Sequence, residues 1–163
     1  MRTYTIERLT PETFQRCSAI WNVDEEKDMA AWCYEELVQG NRETFVYVED
    51  GLCRGEASLV FEHEDPHYVI PGRRLYVSRM IVRKEDQGRG IGRLLLDYLI
   101  TYAASLSYRE LALGVDTDNA PANRLYERSG FTTVLAVEED EAGEYRKLLK
   151  QLDPNEKSIK RGC

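Results

Sequence analysis

Three glycines stand at alternate positions, Gly88, Gly90 and Gly92, interleaved with and followed by Arg89, Ile91 and Arg93. Glycine has no Cβ, so backbone amides in such a stretch can approach a ligand closely and reach positive φ. Leu95, Leu99, Tyr102 and Leu106 follow at spacings of three and four, which predicts a helix opening directly after the glycines. The first amides of a helix lack internal acceptors and carry the positive end of its dipole. Glycine amides, a helix N-terminus and two guanidinium groups together suit an anion, above all a phosphate. Met80, Ile81 and Val82 come before the loop as a short apolar run that predicts a buried strand end, and residues 83–86 read as a solvated charged turn.

Two common phosphate loops do not fit. A P-loop needs Gly-Lys-Ser or Gly-Lys-Thr, and neither occurs in the chain. A dinucleotide fingerprint, the basis of an oxidoreductase reading, accepts Gly88 and Gly90, but its third glycine should stand at 93, where the residue is Arg. That fingerprint also opens a first βαβ unit, whereas this stretch lies in mid-chain.

Gln87-Gly88-Arg89-Gly90-Ile91-Gly92 resembles the Q/R-x-x-G-x-G/A pyrophosphate loop of the GNAT superfamily of N-acetyltransferases. Residues 119–131, Asn119-Ala-Pro-Ala122-Asn123-Arg-Leu-Tyr126-Glu-Arg-Ser-Gly130-Phe131, resemble its second signature, N-x-x-A-x-x-x-Y-x-x-x-G-F, at every named position. Read alone, the second stretch is equally an amphipathic helix with Ala122, Leu125 and Tyr126 in a core. The resemblance implies acetyl-CoA as co-substrate, with no metal. It implies pyrophosphate on the amides of Gln87, Gly88, Arg89, Gly90, Ile91, Gly92 and Arg93. The pantetheine arm would run beside Met80, Ile81 and Val82, with Asn119, Ala122, Asn123 and Tyr126 as further contacts.

The same resemblance implies Tyr126 as the general acid that protonates the departing thiolate. An acceptor amine of pKa ~10.4 must itself lose a proton before attack. Many relatives carry a glutamate where this chain has Ser78, and serine is no base unaided. Glu56 or Glu62 is left as a base acting through water, although surface carboxylate is the commoner reading of such residues. His63 and His67 have an i, i+4 spacing, but Pro66 between them argues against the helix that a metal pair would need. The activity expected is acetyl transfer to a primary amine of a small molecule or peptide. A CoA-binding regulatory module without catalysis is the alternative, motivated by Ser78.

The elements that must position these residues are legible in outline. A strand over 2–9 leads to Thr10-Pro11, an N-cap with a first-turn proline, and a helix over 11–21 burying Phe14, Cys17, Ile20 and Trp21. A helix over 29–38 sets Met29, Trp32, Cys33 and Leu37 on one face and stops at Gly40. Strands over 44–48 and 56–61 flank an Asp50-Gly51 turn; 62–72 is a loop; 74–82 is a strand. A strand over 111–115, a helix over 120–128 and strands over 131–137 and 144–149 complete the order. The fold class expected is mixed α/β, the GNAT fold: a mostly antiparallel sheet of six or seven strands, splayed between strands 4 and 5, with helices on both faces. One domain over 1–150 and a flexible tail over 151–163 are expected.

Composition bounds the partners. A net charge of −7 from 22 basic and 29 acidic residues argues against nucleic acid and is compatible with a cationic acceptor. No apolar run approaches the ~20 residues of a membrane span, and the N-terminus lacks an apolar signal core. Cys17, Cys33, Cys53 and Cys163 form no C-x-x-C pair, so free thiols in a reducing cytoplasm are expected. The resemblance also allows a homodimer.

Overall fold

The computed structural model describes residues 3–153. The elements run β1 (Tyr4–Leu9), a 3₁₀ helix (Pro11–Ala19), α1 (Lys27–Gln39), β2 (Arg42–Glu49), β3 (Leu52–Val60), β4 (Arg74–Val82), a short 3₁₀ turn (Lys84–Asp86), α2 (Ile91–Ser105), β5 (Glu110–Asp116), α3 (Ala120–Arg128), β6 (Thr133–Asp140) and β7 (Gly143–Gln151). Hydrogen bonds order the seven described strands β1-β2-β3-β4-β5-β7-β6. Pairings β1–β2, β2–β3, β5–β7 and β6–β7 are antiparallel, and β4–β5 is parallel. The parallel pairing joins only Arg74–Tyr76 of β4 to Glu110–Ala112 of β5, which is the splay the resemblance implied. The mixed sheet with its helices is the expected fold. No described helix is long and apolar enough to cross a membrane.

The chain forms two compact units. The first takes the residues up to Val60 with Ser78–Leu96, and the second takes Phe61–Val77 with the residues from Asp97 on. In the first unit, Leu9, Phe14, Cys17, Trp21, Cys33, Leu37, Val46, Val48 and Cys53 form one core. Thr10 caps the segment after β1 through a reciprocal box with Thr13, as its sequence predicts. That segment is 3₁₀ rather than α-helical. Its buried Phe14 and Cys17 are three residues apart, the period of a 3₁₀ helix, and it ends at Ala19, so Trp21 lies beyond it. Ile20 is only half-buried.

The helix α1 ends at Gly40 in the left-handed conformation, φ 80°. Trp32 departs from expectation: it is 50% exposed, and Glu36 takes the buried face beside Cys33 and Leu37. The Asp50-Gly51 turn has positive φ at both residues, 55° and 74°, as a tight hairpin of matching twist requires.

In the second unit, Tyr68, Val69, Ala112 and Leu149 form a core with Tyr76 and Leu135. Tyr68 and Tyr76 stack at 4.2 Å. Arg74 Nε donates to buried Glu110 Oε1 at 3.0 Å, which ties the start of β4 to the start of β5. The 62–72 stretch is a loop apart from one bridge, Ile70 to Arg74. Leu106, expected on the apolar face of α2, follows the helix end and is 41% exposed. The helix α3 begins and ends as expected, with Asn119 as N-cap and Gly130 at φ 98° after its end. The strand β7 extends to Gln151, past the expected strand end at 149, and residues 154–163, with Cys163 and most of the stretch expected as a tail, lie outside the described residues.

Candidate active-site residues

In the first unit the glycine loop joins β4 to α2. Gly88 and Gly90 have φ of 80° and 85°, and a Cβ at either would meet no atom within 4 Å. The space beside them is open, and their backbone conformation is the one glycine adopts without strain. Leu94 N donates to Gly90 O at 3.1 Å, the first i→i−4 bond of α2. The amides of Ile91, Gly92 and Arg93 precede it, at the positive end of a helix of 15 residues. Gly55 of β3 seats that end: a Cβ there would lie 3.1 Å from Ile91 and 3.2 Å from Leu95.

The preceding turn is not the solvated segment expected. Asp86 is 4% exposed and collects three arginines. Its carboxylate accepts from Arg83 Nε at 2.8 Å, Arg89 Nη1 at 2.6 Å and Arg54 Nη1 at 3.2 Å. Burial alone would raise this carboxyl, but the bonds from Arg83 and Arg89 outweigh it and hold it below the ordinary range. Arg89 Nη2 also donates to both Glu49 oxygens at 2.9 Å. Arg89, expected as a phosphate ligand, thus has its guanidinium committed to Glu49 and Asp86. Gln87 Nε2 donates back to Val82 O at 3.1 Å and closes the turn, while Arg93 is exposed.

Upstream, Met80, Ile81 and Val82 are half-buried rather than buried. Arg79 has φ 61°, a left-handed conformation rare in a non-glycine strand residue. Such strain persists only where the surroundings enforce it, and it collects at functional sites. The Arg79 guanidinium lies 4.6 Å above the Trp21 ring. Trp21 Nε1 donates to Glu56 Oε1 at 2.5 Å. Glu56 is 4% exposed, so the surface reading of this carboxylate is overturned. The 3₁₀ helix packs on β3, and Trp21, just beyond that helix, covers the carboxylate. Burial raises the Glu56 carboxyl above its ordinary value, against the opposing pull of Arg79, Trp21 and Arg42. Glu62 is exposed. Ser78 is buried, and its hydroxyl accepts from Arg42 Nη2 at 3.2 Å.

In the second unit, Tyr126 is 8% exposed and packs edge-on against Phe131 at 6.0 Å. Burial, helped by Tyr76, pushes its hydroxyl up to about 12, so the phenol stays protonated at neutral pH. Asn119 Oδ1 accepts from Ala122 N at 3.2 Å. Asn123 Nδ2 donates to Asn119 O at 2.7 Å and Asp116 O at 2.9 Å, and its Oδ1 accepts from Arg146 at 2.7 Å. Asn123 therefore stitches α3 to the end of β5, while Ala122 is half-buried. Sequence reasoning missed Asp86, Arg42, Trp21 and Arg79. Only Arg79, a cation beside the apolar run of β4, left a local signal.

The model of the acetyltransferase (GNAT) family matches residues 4–131. The chain belongs to this family. It is 32% identical over 119 residues to an L-methionine sulfoximine/L-methionine sulfone acetyltransferase of Salmonella typhimurium, covering 71% of this chain and 66% of that protein. It is 36% identical over 59 residues to a spermine N(1)-acetyltransferase, designated probable, of Bacillus subtilis subsp. natto, covering 36% of this chain and 39% of that one. The chain spans 16 to 66% of the length of the curated relatives it matches. A Salmonella typhimurium protein solved with acetyl-CoA as its cofactor superposes with a TM-score of 0.66 at 24% identity, over 92% of this chain and 94% of its own. Among the described residues no group of three or more His, Cys, Asp or Glu could hold a metal ion.

Proposed function

We propose that this GNAT-family protein transfers the acetyl group of acetyl-CoA to a primary amine of a small molecule or peptide. The observation that carries the reading is the open, positive-φ pair Gly88 and Gly90 leading into the first amides of α2. Those amides fit a pyrophosphate, which accepts their hydrogen bonds and the favourable end of the helix dipole. Asp86 holds Arg83 and Arg89 and so fixes the loop that presents them. Acetyl-CoA supplies an acyl group activated as a thioester and a thiol as leaving group.

The chain's own residues supply proton traffic. Glu56, whose carboxyl burial raises above its ordinary value, is suited to accept a proton, relayed by water from the acceptor ammonium. Tyr126 keeps its proton and is suited to give a hydrogen bond, then a proton, to sulfur. Ser78, engaged by Arg42, takes neither role. The free thiols Cys17, Cys33 and Cys53 support a cytoplasmic setting.

The test is purified protein with acetyl-CoA and a panel of primary amines, read as free-thiol release and mass of the N-acetyl product. Turnover with one or more amines is expected. CoA binding with no turnover across polyamines, aminoglycosides, amino acids and peptides would replace this reading with the regulatory-module one.

A further inference from the structure

Two guanidinium groups in the first unit hold buried N–H donors with no acceptor. Arg42 is 2% exposed, yet its Nη1 is buried without a hydrogen-bond partner. Its other nitrogens are occupied: Nε donates to Glu36 Oε1 at 2.9 Å and Nη2 to Ser78 Oγ at 3.2 Å. Arg79 Nε is likewise buried without a partner, and no ion pair of Arg79 occurs among the described residues. Each guanidinium rests on an indole, Arg42 on Trp32 at 5.2 Å and Arg79 on Trp21 at 4.6 Å. Arg42 Nη2 reaches Ser78, the residue before Arg79 on β4, and the Trp21 ring under Arg79 donates its N–H to Glu56, so both cations lie around one stretch of β4 beside that carboxylate.

A buried donor without an acceptor costs free energy, more so when it is charged. Two in one neighbourhood, one of them on a strained backbone, ask for a missing acceptor. Arginine's planar fork matches a carboxylate better than any other small anion except phosphate. Phosphate would bring up to two negative charges beside Glu56 and Glu36, whereas a carboxylate brings one.

We infer that the acceptor amine also carries a carboxylate, which the free N–H donors of Arg79 and Arg42 bind, so that the substrate is an amino acid or a related amino-carboxylate. This inference rests on the acetyl-transfer reading for its reaction, though not for its binding step. In an α-amino acid the amine stands two bonds from the carboxylate carbon, so anchoring the carboxylate at the arginines brings the ammonium into the Glu56 neighbourhood. One C–N bond forms and the C–S bond breaks. The ammonium gives up two protons in all, one toward Glu56 before attack and one after the C–N bond has formed, and the departing CoA sulfur takes up one to leave as the thiol. The net charge of the chain points toward cationic acceptors; these two donors point instead to a zwitterion.

Calorimetry on the wild-type protein with bound CoA tests the binding step. Each amino acid of a neutral side-chain set is compared with its own carboxamide, which keeps the amine and side chain but removes the anion. Binding of at least one acid ~10-fold or more tighter than its amide, about 1.4 kcal/mol, is the expected result. Arg79→Asn is the matching variant, because asparagine tolerates positive φ, and it should collapse the acid-over-amide preference. Equal binding of every acid and amide, or a preference untouched by Arg79→Asn, overturns the inference. If the acid binds selectively but no amine is acetylated, the carboxylate site stands and the acetyl-transfer reading falls.

Discussion

Trp21 donates its indole N–H to Glu56 at 2.5 Å, joining the residue just beyond the 3₁₀ helix to the middle of β3. This bond fixes a carboxylate that burial has pushed above its ordinary value. The ionised form is therefore the costly one in the fold. That cost is absent below the ordinary glutamate range and grows as pH rises through the raised value. Glu56→Gln keeps an oxygen for the indole and removes the ionisation. Its stability relative to wild type should rise with pH across that window, as read by chemical denaturation at a series of pH values. Turnover should fall ~10²-fold, and the acidic limb of the kcat/KM profile should disappear. A variant with an unchanged profile would return Glu56 to a purely structural role.

Gly90 separates charge from shape in the loop. Its φ of 85° strains any side chain, and the space around it is open. Gly90→Asp and Gly90→Asn impose nearly the same strain, since both residues tolerate that conformation best among the non-glycines. They differ by one negative charge where a pyrophosphate is proposed. CoA should bind the Asp variant at least ~10-fold more weakly than the Asn variant, about 1.4 kcal/mol. Calorimetry on the two folded variants decides it, and equal affinities would remove the loop from the site.

Asp86 tests whether the loop needs its anchor. Three arginines converge on it, each partly exposed, so solvent discounts every pair. Asp86→Asn should destabilise the fold by about 1–2 kcal/mol, since hydrogen bonds to a charged acceptor become weaker neutral ones. The carboxyl lies below its ordinary value in the fold, so its contribution is present above the ordinary aspartate range. It is lost as pH falls through the lowered value. The gap between wild type and Asp86→Asn should therefore narrow on acidification. CoA affinity should weaken too, because Arg83 and Arg89 no longer share an anchor.

The glycine loop, the caps at Thr10, Gly40 and Asn119 and the ends of α3 were legible in the sequence because each is decided within a few residues. What was not legible depends on partners far along the chain. Asp86 reads as one of four charges in a turn until Arg54, on β3, reaches it. Glu56 reads as a surface carboxylate until Trp21, 35 residues earlier, covers it. Trp32 reads as core because aromatics on an apolar face usually are, yet the neighbouring Glu36 is buried by its bond to Arg42 and Trp32 is left outside over the same guanidinium. The loop of the candidate site was thus readable, whereas the buried charges around it were not.

Tyr126 carries the last prediction. Its hydroxyl is pushed up to about 12 by burial first and by Tyr76 second. Transfer of its proton to a thiolate whose acid has a pKa of ~8.5 is uphill by several units, so the phenol acts first as a strong hydrogen-bond donor to the sulfur as charge develops there. Tyr126→Phe deletes only that donor, because the ring keeps its edge contact with Phe131 at 6.0 Å. Burying a ring without its hydroxyl costs little, so the melting temperature should hold or rise slightly. Turnover should fall ~10²-fold with CoA affinity near wild type, since the interaction is made in the transition state and not in the ground state. The loss should also depend on the leaving group. An acyl donor with a more acidic thiol needs less help at sulfur, so the gap between wild type and Tyr126→Phe should shrink with such a donor. A gap that stays constant across donors of different thiol acidity would assign Tyr126 to packing rather than to proton delivery.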